Sequence, residues 1–239
     1  MTTLIVGASG ATGRLLVEQL LNRGASVRII VREKTNLPEA LNSHEKLSII
    51  RASVLDLSDA EMAAQVAGCN AVASCLGHRA VFGPPRRLVT EATRRLCAAI
   101  ETNQPEEPVK FVLMNTAGFV NEDAAEHVSF VHRLVLWLVR LLLPPQPDNE
   151  QAAKFLCTEI GKNNKAVEWS VVRPDTLIDE TEVTAYEVYP SPTRSAIFNP
   201  GKTSRINVGH FMAELITNND TWSQWKGQMP VIYNKQGAS

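Results

Sequence analysis

The residues best placed to do chemistry are three glycines, a few cations and hydroxyls, and one histidine. Gly7, Gly10 and Gly13 recur at intervals of three in Gly7-Ala8-Ser9-Gly10-Ala11-Thr12-Gly13. Gly7 can turn the chain sharply off a strand. Gly10 has no Cβ to hold a phosphate away, and Gly13 lets a helix pack close to a sheet. The unpaired amides of a helix's first turn would then face an anion. The chemistry this predicts is a grip on the diphosphate of a dinucleotide, with Ser9, Ala11 and Thr12 completing the turn. A turn without a ligand explains the same glycines as conformational relief.

Arg32 stands about twenty residues beyond that turn, just past a second apolar run. An acidic residue there bonds the ribose hydroxyls of NAD. A guanidinium suits a 2′-phosphate instead, so the expected cofactor is NADP rather than NAD. Glu33 and Lys34 follow, and a solvated strand end is the plainer account of Arg32. Asp56 is placed to meet the adenine from the groove rim, next to Leu57. Leu76, Gly77, His78 and Arg79 end a later apolar run. The His-Arg pair fits an anionic substrate or a cofactor phosphate, or simply a solvent-facing loop. Thr116 follows Asn115 at the end of another run, where a hydroxyl can bond a carbonyl or a carboxamide. Lys154 lies in a helical stretch, and Pro174 closes a strand.

The elements that must carry these residues alternate strand and helix. Leu4–Val6 leads into the glycines, and Leu15, Leu16, Leu20 and Leu21 give the next stretch an apolar face that stops at Gly24. Runs at 27–31, 47–50, 71–77, 110–114 and 167–174 read as further strands. Helical stretches are expected at about 60–66, 86–102, 148–160 and 206–216, with a possible last strand at 229–233. Ser58 or Asp59 should cap the helix at 60–66, and Asp148 or Asn149 the one at 148–160. Arg86, Arg87, Arg94 and Arg95 read as a wet helix face. Residues 175–203 are turn-rich, and such a connection commonly forms the substrate side of a cleft.

Composition bounds the rest. The 239 residues are 44% hydrophobic with a net charge of −1, which suits a globular α/β domain and gives no global attraction to nucleic acid. Cys69, Cys75, Cys97 and Cys157 include no C-x-x-C pair, which suggests reduced thiols rather than a disulfide frame or a metal site. No leader peptide is evident, and a cytoplasmic location is the expectation. Val128–Leu143 is almost wholly apolar but too short and too charged to span a bilayer. It fits a core or subunit-contact helix, a lid, or a membrane-surface helix, so a homodimer is one expectation. His132 within it falls on the polar stripe and is not a strong catalytic candidate, and His210 later reads as structural rather than catalytic.

Several segments together carry a family resemblance. The glycine turn, Val31-Arg32, Val54-Leu55-Asp56 and Trp169-Ser170-Val171-Val172-Arg173-Pro174 resemble the atypical short-chain dehydrogenase/reductase family. Within it the chain is most similar to the NAD(P)H-binding, NmrA-like branch and to the flavin (biliverdin-IXβ) reductases. Cys75-Leu76-Gly77-His78-Arg79 and Gly209-His210-Phe211-Met212 also look like the latter. The likeness covers nearly the whole chain except 121–146, which looks like an insertion. It implies one Rossmann-type doubly wound parallel sheet of order 3-2-1-4-5-6, with or without a seventh strand, and a small substrate-side region at about 175–205. It also implies NADP in the crevice and hydride transfer to a small conjugated or cyclic acceptor.

One departure bears on mechanism. Typical members carry Tyr-x-x-x-Lys, whereas Tyr186, Tyr189 and Tyr233 have no lysine four residues later. Four residues before Lys154 stands Glu150, a substitute acid or a solvated side chain. By the resemblance, Thr116 stands near the flavin reductases' active-site serine, and no histidine occupies the 149–154 helix where theirs lies. The expected catalytic groups are Thr116, Lys154 and His78, with Lys154 on the nicotinamide ribose if it points inward. The alternative is a redox sensor or scaffold that binds NADP(H) without turning it over.

Overall fold

A computed structural model of the chain describes residues 1–78, 86–117, 145–195 and 199–235. The apolar segment 128–143, the remainder of the insertion as far as 144, His132 and Arg79 lie outside the described residues. The first unit is β1 (Thr2–Val6), α1 (Ala11–Asn22) and β2 (Ser26–Val31). Leu4, Ile5 and Val6 are fully buried, as a strand covered on both faces by helices requires. On α1, Leu16, Val17, Leu20 and Leu21 form one buried stripe, each contributing roughly 1.5–3 kcal/mol on leaving water. Gly24 ends the turn after α1 at φ +79°.

There follow α2 (Glu39–Asn42), β3 (Leu47–Arg51), α3 (Asp59–Val66), β4 (Ala71–Ser74), α4 (Leu88–Thr102) and β5 (Val109–Met114). Ser58 caps α3 in a reciprocal box: its hydroxyl accepts from Glu61 N, and its own amide donates to Glu61 Oε2 at 2.7 Å. After β5 come α5 (Pro145–Phe155), a π-helical turn at Leu156–Ile160, and β6 (Val167–Pro174). The chain then forms β7 (Thr176–Ile178), β8 (Tyr186–Tyr189), β9 (Lys202–Ser204), α6 (Arg205–Thr217), α7 (Asn219–Trp225) and β10 (Val231–Asn234).

The main sheet has the order β3-β2-β1-β4-β5-β6-β10-β8. Its strands are parallel up to β10, and β8 pairs antiparallel with β10. The predicted 3-2-1-4-5-6 order is present, extended by two strands, while β7 and β9 form a separate parallel pair. The turn-rich stretch thus holds three short strands that local pattern does not show. The predicted helix 148–160 begins earlier, at Pro145, and loosens into the π turn at its end. Asp148 is therefore inside α5, not at its cap. Its carboxylate serves α4 instead.

Helices cover both faces of the sheet. α3, α4 and α5 pack one side through Met62, Val66, Leu96, Ile100 and Ala153. α1, α6 and α7 pack the other through Leu20, Met212, Leu215 and Trp222. Arg173, at the end of β6, is buried completely and donates from Nε to Met229 O at 2.7 Å and from Nη2 to Pro190 O at 3.3 Å. It joins β6 to the segments that flank β8 and β10.

Candidate dinucleotide groove

The glycine turn is built by close backbone approach. Gly7 sits at φ +77°, and a Cβ on it would lie 2.4 Å from the Cys75 carbonyl. A Cβ on Gly13 would lie 2.2 Å from Gly7 O. Both positions exclude any side chain, which brings the head of α1 against the end of β1. Gly10 is the N-cap of α1 and has no side chain to cover the first-turn amides. Arg14 N is used within the helix, bonding Gly10 O at 3.0 Å.

This turn opens on a cavity of about 620 Å³ at the carboxyl edge of the sheet, within the size range of small-molecule sites. β1 lies there between β2 and β4, where the strand order reverses and ligands of open α/β sheets bind. Gly7, Ser9, Gly10, Ala11, Thr12, Arg32, Leu76, Gly77 and His78 all line it. Gly13 is buried behind the turn. Beyond Arg32 an open depression is lined by Ser9, Arg32, Glu33, Lys34, Thr35 and Asn36. Arg51 from β3 holds that loop, donating from Nη1 to Glu33 O at 3.1 Å and to Thr35 O at 3.0 Å. Arg32 and Lys34 thus bring two cations to that depression, beside the carboxylate of Glu33.

His78 meets an acid from a distant element. Its Nε2 lies 2.7 Å from Asp148 Oδ2, and the Asp148 side chain is fully buried. Asp148 also accepts from Val89 N at 2.8 Å and from Thr90 N at 3.0 Å, and Thr90 Oγ1 donates to its carbonyl at 2.9 Å. One carboxylate on α5 therefore caps α4 and orients the histidine. Two amides donate to it, and the ring Nε2 makes its third polar contact. Asn115 makes a second tie between β5 and α5, donating from Nδ2 to Asn149 O at 2.8 Å while Oδ1 accepts from Thr116 N.

The remaining predicted residues stand elsewhere. Thr116 is half-buried after β5, and Pro174 is buried at the end of β6; neither lines the cavity. Lys154 is exposed on α5, and Glu150 on the same helix is half-buried. Asp56 is exposed in a turn whose amide bonds Ser53 O at 3.0 Å. Leu57 packs against the core beneath that turn. The groove wall there depends on Arg95, which donates to Leu55 O at 2.8 Å, to Val54 O at 3.3 Å and to Leu57 O. Arg95 is thus half-buried and bonded to backbone rather than lying on a wet face; its guanidinium reaches across α3's approach. Arg94 is exposed, as expected, and pairs with Glu159 at 2.6 Å.

Pattern reading missed Asp148 as a partner of His78, because 70 positions separate them. It also missed Arg205 of α6 and Met114 of β5 as cavity residues. Cys75 lines the cavity too, but burial pushes its thiol up to about 12, which rules it out as a ready nucleophile. Away from the groove, His210 Nδ1 lies 2.9 Å from the Tyr186 hydroxyl, a structural contact. No helix among the described residues is long and apolar enough to cross a membrane.

Comparison with known proteins bears on this groove. Residues 7–219 match the model of a protein family described as NAD(P)H-binding. An uncharacterised chloroplastic protein of Arabidopsis thaliana is 30% identical over 203 residues, covering 83% of this chain. The chain spans 64% of that relative's length. A short-chain dehydrogenase/reductase of Veillonella parvula, solved in complex with NADP, superposes with a TM-score of 0.70 at 15% identity, over 98% of this chain and 94% of its own. A candidate NADH-flavin reductase of Streptococcus pneumoniae gives 0.69 at 17% identity, over 98% and 100%. The anaerobillin reductase ChuY of Escherichia coli O157:H7 gives 0.68 at 16% identity, over the full length of both chains. At these identities the three structures establish a common fold.

Proposed function

The chain belongs to a family described as NAD(P)H-binding, and from that premise we propose that it is an NADPH-dependent reductase of the atypical short-chain dehydrogenase/reductase type, acting on a small conjugated or cyclic acceptor. The observation that carries the cofactor assignment is the pairing of two features in one groove. Gly7 and Gly13 admit no side chain, which seats α1 against β1, and Gly10 at the N-cap leaves the first-turn amides uncovered for a diphosphate. Arg32, with Lys34 and the Arg51-held loop beside it, supplies positive charge where NADP carries its extra phosphate.

Bound NADPH supplies the reducing equivalent. The chain's own residues bind and orient: the glycine turn holds the diphosphate, Arg32 the 2′-phosphate, and the Leu76–His78 segment borders the reaction end. His78 borders the acceptor, its ring fixed by Asp148 through Nε2. Leu88 and Met114 give that part of the cavity an apolar wall, which suits a flat, conjugated acceptor.

A second reading has its own support. Lys154 is exposed and has no tyrosine four residues before it, so the usual proton-moving pair of the superfamily is missing. A redox sensor that binds NADP(H) without turnover fits that absence. One experiment separates the two: titrate NADPH and NADH by calorimetry, then follow NADPH absorbance against flavins, quinones and enals. NADPH binding that is tighter than NADH binding, with oxidation by one acceptor class, supports the reductase. Tight binding with no oxidation supports the sensor. No heat with either cofactor overturns both.

A further inference from the structure

The groove receives one side chain from an element late in the chain. Arg205, the first residue of α6, lines the cavity together with Gly10, Ala11 and Thr12. Its position follows from how α6 lies on α1. A Cβ on Gly209 would stand 3.1 Å from Leu16 N and 3.3 Å from Leu15 C, so the two helices touch backbone to backbone there. Further along, Arg23, just after α1, lies 2.7 Å from Glu214 Oε1 and donates to Thr217 Oγ1 at 2.9 Å. The contacts climb both helices in the same order, so α1 and α6 run side by side in one direction. Arg205 precedes Gly209 by about one turn, and Ala11 and Thr12 precede Leu15 and Leu16 by the same step. Arg205 therefore stands beside the head of α1.

What holds Arg205 is weak. Its Nη1 lies 2.8 Å from Asp179 Oδ1, but the Asp179 side chain is 85% exposed and that of Arg205 25%. An ion pair so open to water contributes little and is readily exchanged for a stronger anion. The other basic residue of that neighbourhood, Arg14, is half-exposed and faces Glu18 at 3.8 Å. The glycine turn itself offers only neutral amides. Among the described residues that line the cavity the arginines are Arg32, at the adenosine end, and Arg205, beside the α1 amides.

We propose that Arg205 is the diphosphate's counter-charge: a diphosphate-binding residue that leaves Asp179 and closes on the anion from the α6 side. The inference rests on the dinucleotide reading and deepens it. Arg32 would distinguish NADPH from NADH, whereas Arg205 touches what the two share and would weigh on both alike.

The test is calorimetry on the full chain with NADPH, NADH and ADP, comparing wild type, Arg205→Gln, Arg205→Lys and Arg32→Glu, with far-UV circular dichroism as a control for folding. Arg205→Gln is expected to weaken all three ligands by a similar factor, about tenfold or more, as for a lost charge-assisted hydrogen bond. Arg205→Lys should recover part of the loss, because it keeps the charge without the fork. Arg32→Glu should weaken NADPH alone. Wild-type binding with an unchanged Arg205→Gln, or a loss confined to NADPH, overturns the role of Arg205 and leaves the dinucleotide reading intact. Wild type that binds none of the three removes that reading, and this inference with it.

Discussion

His78 and Asp148 meet across 70 positions of sequence, with Nε2 and Oδ2 2.7 Å apart and the carboxylate fully buried. The same carboxylate receives two α4 amides, so it is both the helix's cap and the histidine's anchor. Removing it leaves buried donors without partners. Asp148→Ala should lower the unfolding free energy by about 2–4 kcal/mol, and Asp148→Asn by clearly less, since an amide oxygen can still cap. Urea denaturation followed by circular dichroism measures both. Equal stability of the alanine variant and the wild type would contradict this account.

The adenosine end makes a prediction about selectivity. Arg32→Glu should weaken NADPH binding by about 1.5–3 kcal/mol and NADH binding far less. Arg51→Ala acts one step away, by releasing the Glu33 and Thr35 carbonyls it holds. It should also narrow the gap between the two cofactors, by a smaller amount. Fluorescence titration of both reduced cofactors reads the difference, and parallel losses would refute it.

Gly13 and Gly209 differ in how much room surrounds them. A Cβ at position 13 would stand 2.2 Å from a backbone oxygen, a distance no local adjustment absorbs. Gly13→Ala should push α1 off β1, costing about 1–3 kcal/mol and weakening nucleotide binding. At Gly209 the nearest atom would be 3.1 Å away, so a shift of a few tenths of an ångström suffices. Gly209→Ala should cost less and leave binding nearly intact. Thermal melts with and without NADPH would show whether that order holds.

The Tyr186–His210 contact predicts a pH response. Burial and the nearby Arg23 hold His210 below the ordinary imidazole value, with Glu214 opposing them. Burial, with the charge of Glu214, pushes Tyr186 up to about 12. Both groups are neutral at neutral pH and lie in hydrogen-bond contact, 2.9 Å apart. The unfolded chain binds the imidazole proton more tightly, so this stabilisation is full above the ordinary histidine value. It is lost as pH falls through the lowered one. For the phenol the loss comes on the alkaline side, between about pH 10 and about pH 12. Unfolding free energy measured from about pH 7.5 to about pH 5.5 should fall less steeply in His210→Asn than in wild type. Identical slopes would rule the contact out as the source.

How legible this was depended on the range of the interactions involved. The β1–α1–β2 unit was readable because its signals are local: an apolar run, glycines at fixed steps, a helical stripe. Ser58, one of two candidate caps, could be read for the same reason, and the structure adds Glu61 as its reciprocal partner. Tyr186–Tyr189 was not, since a four-residue strand in a proline-rich stretch owes its extended form to pairing with β10. Asp148 looks like a helix cap from its own neighbours, and it is one, but for a helix that begins 60 residues earlier. Arg95 looks solvated by periodicity, yet a guanidinium reaches far enough to bond three carbonyls of another loop. At the groove, backbone positions followed from glycine spacing. The side chains that line it from β5 and α6, Met114 and Arg205, did not, because tertiary packing alone brings them there.

The placement of β10 has a consequence for biosynthesis. Residues 231–234 slot between β6 and β8, both translated well before them. While the ribosome is still upstream of that point, β6 presents a raw border and the Arg173 guanidinium lacks the Met229 carbonyl it later engages. A nascent polypeptide can assemble the leading half, from β1 to β5, as it emerges, but must wait for the tenth strand to seal the other flank. That interval exposes an unpaired, apolar rim of the kind holdase chaperones protect.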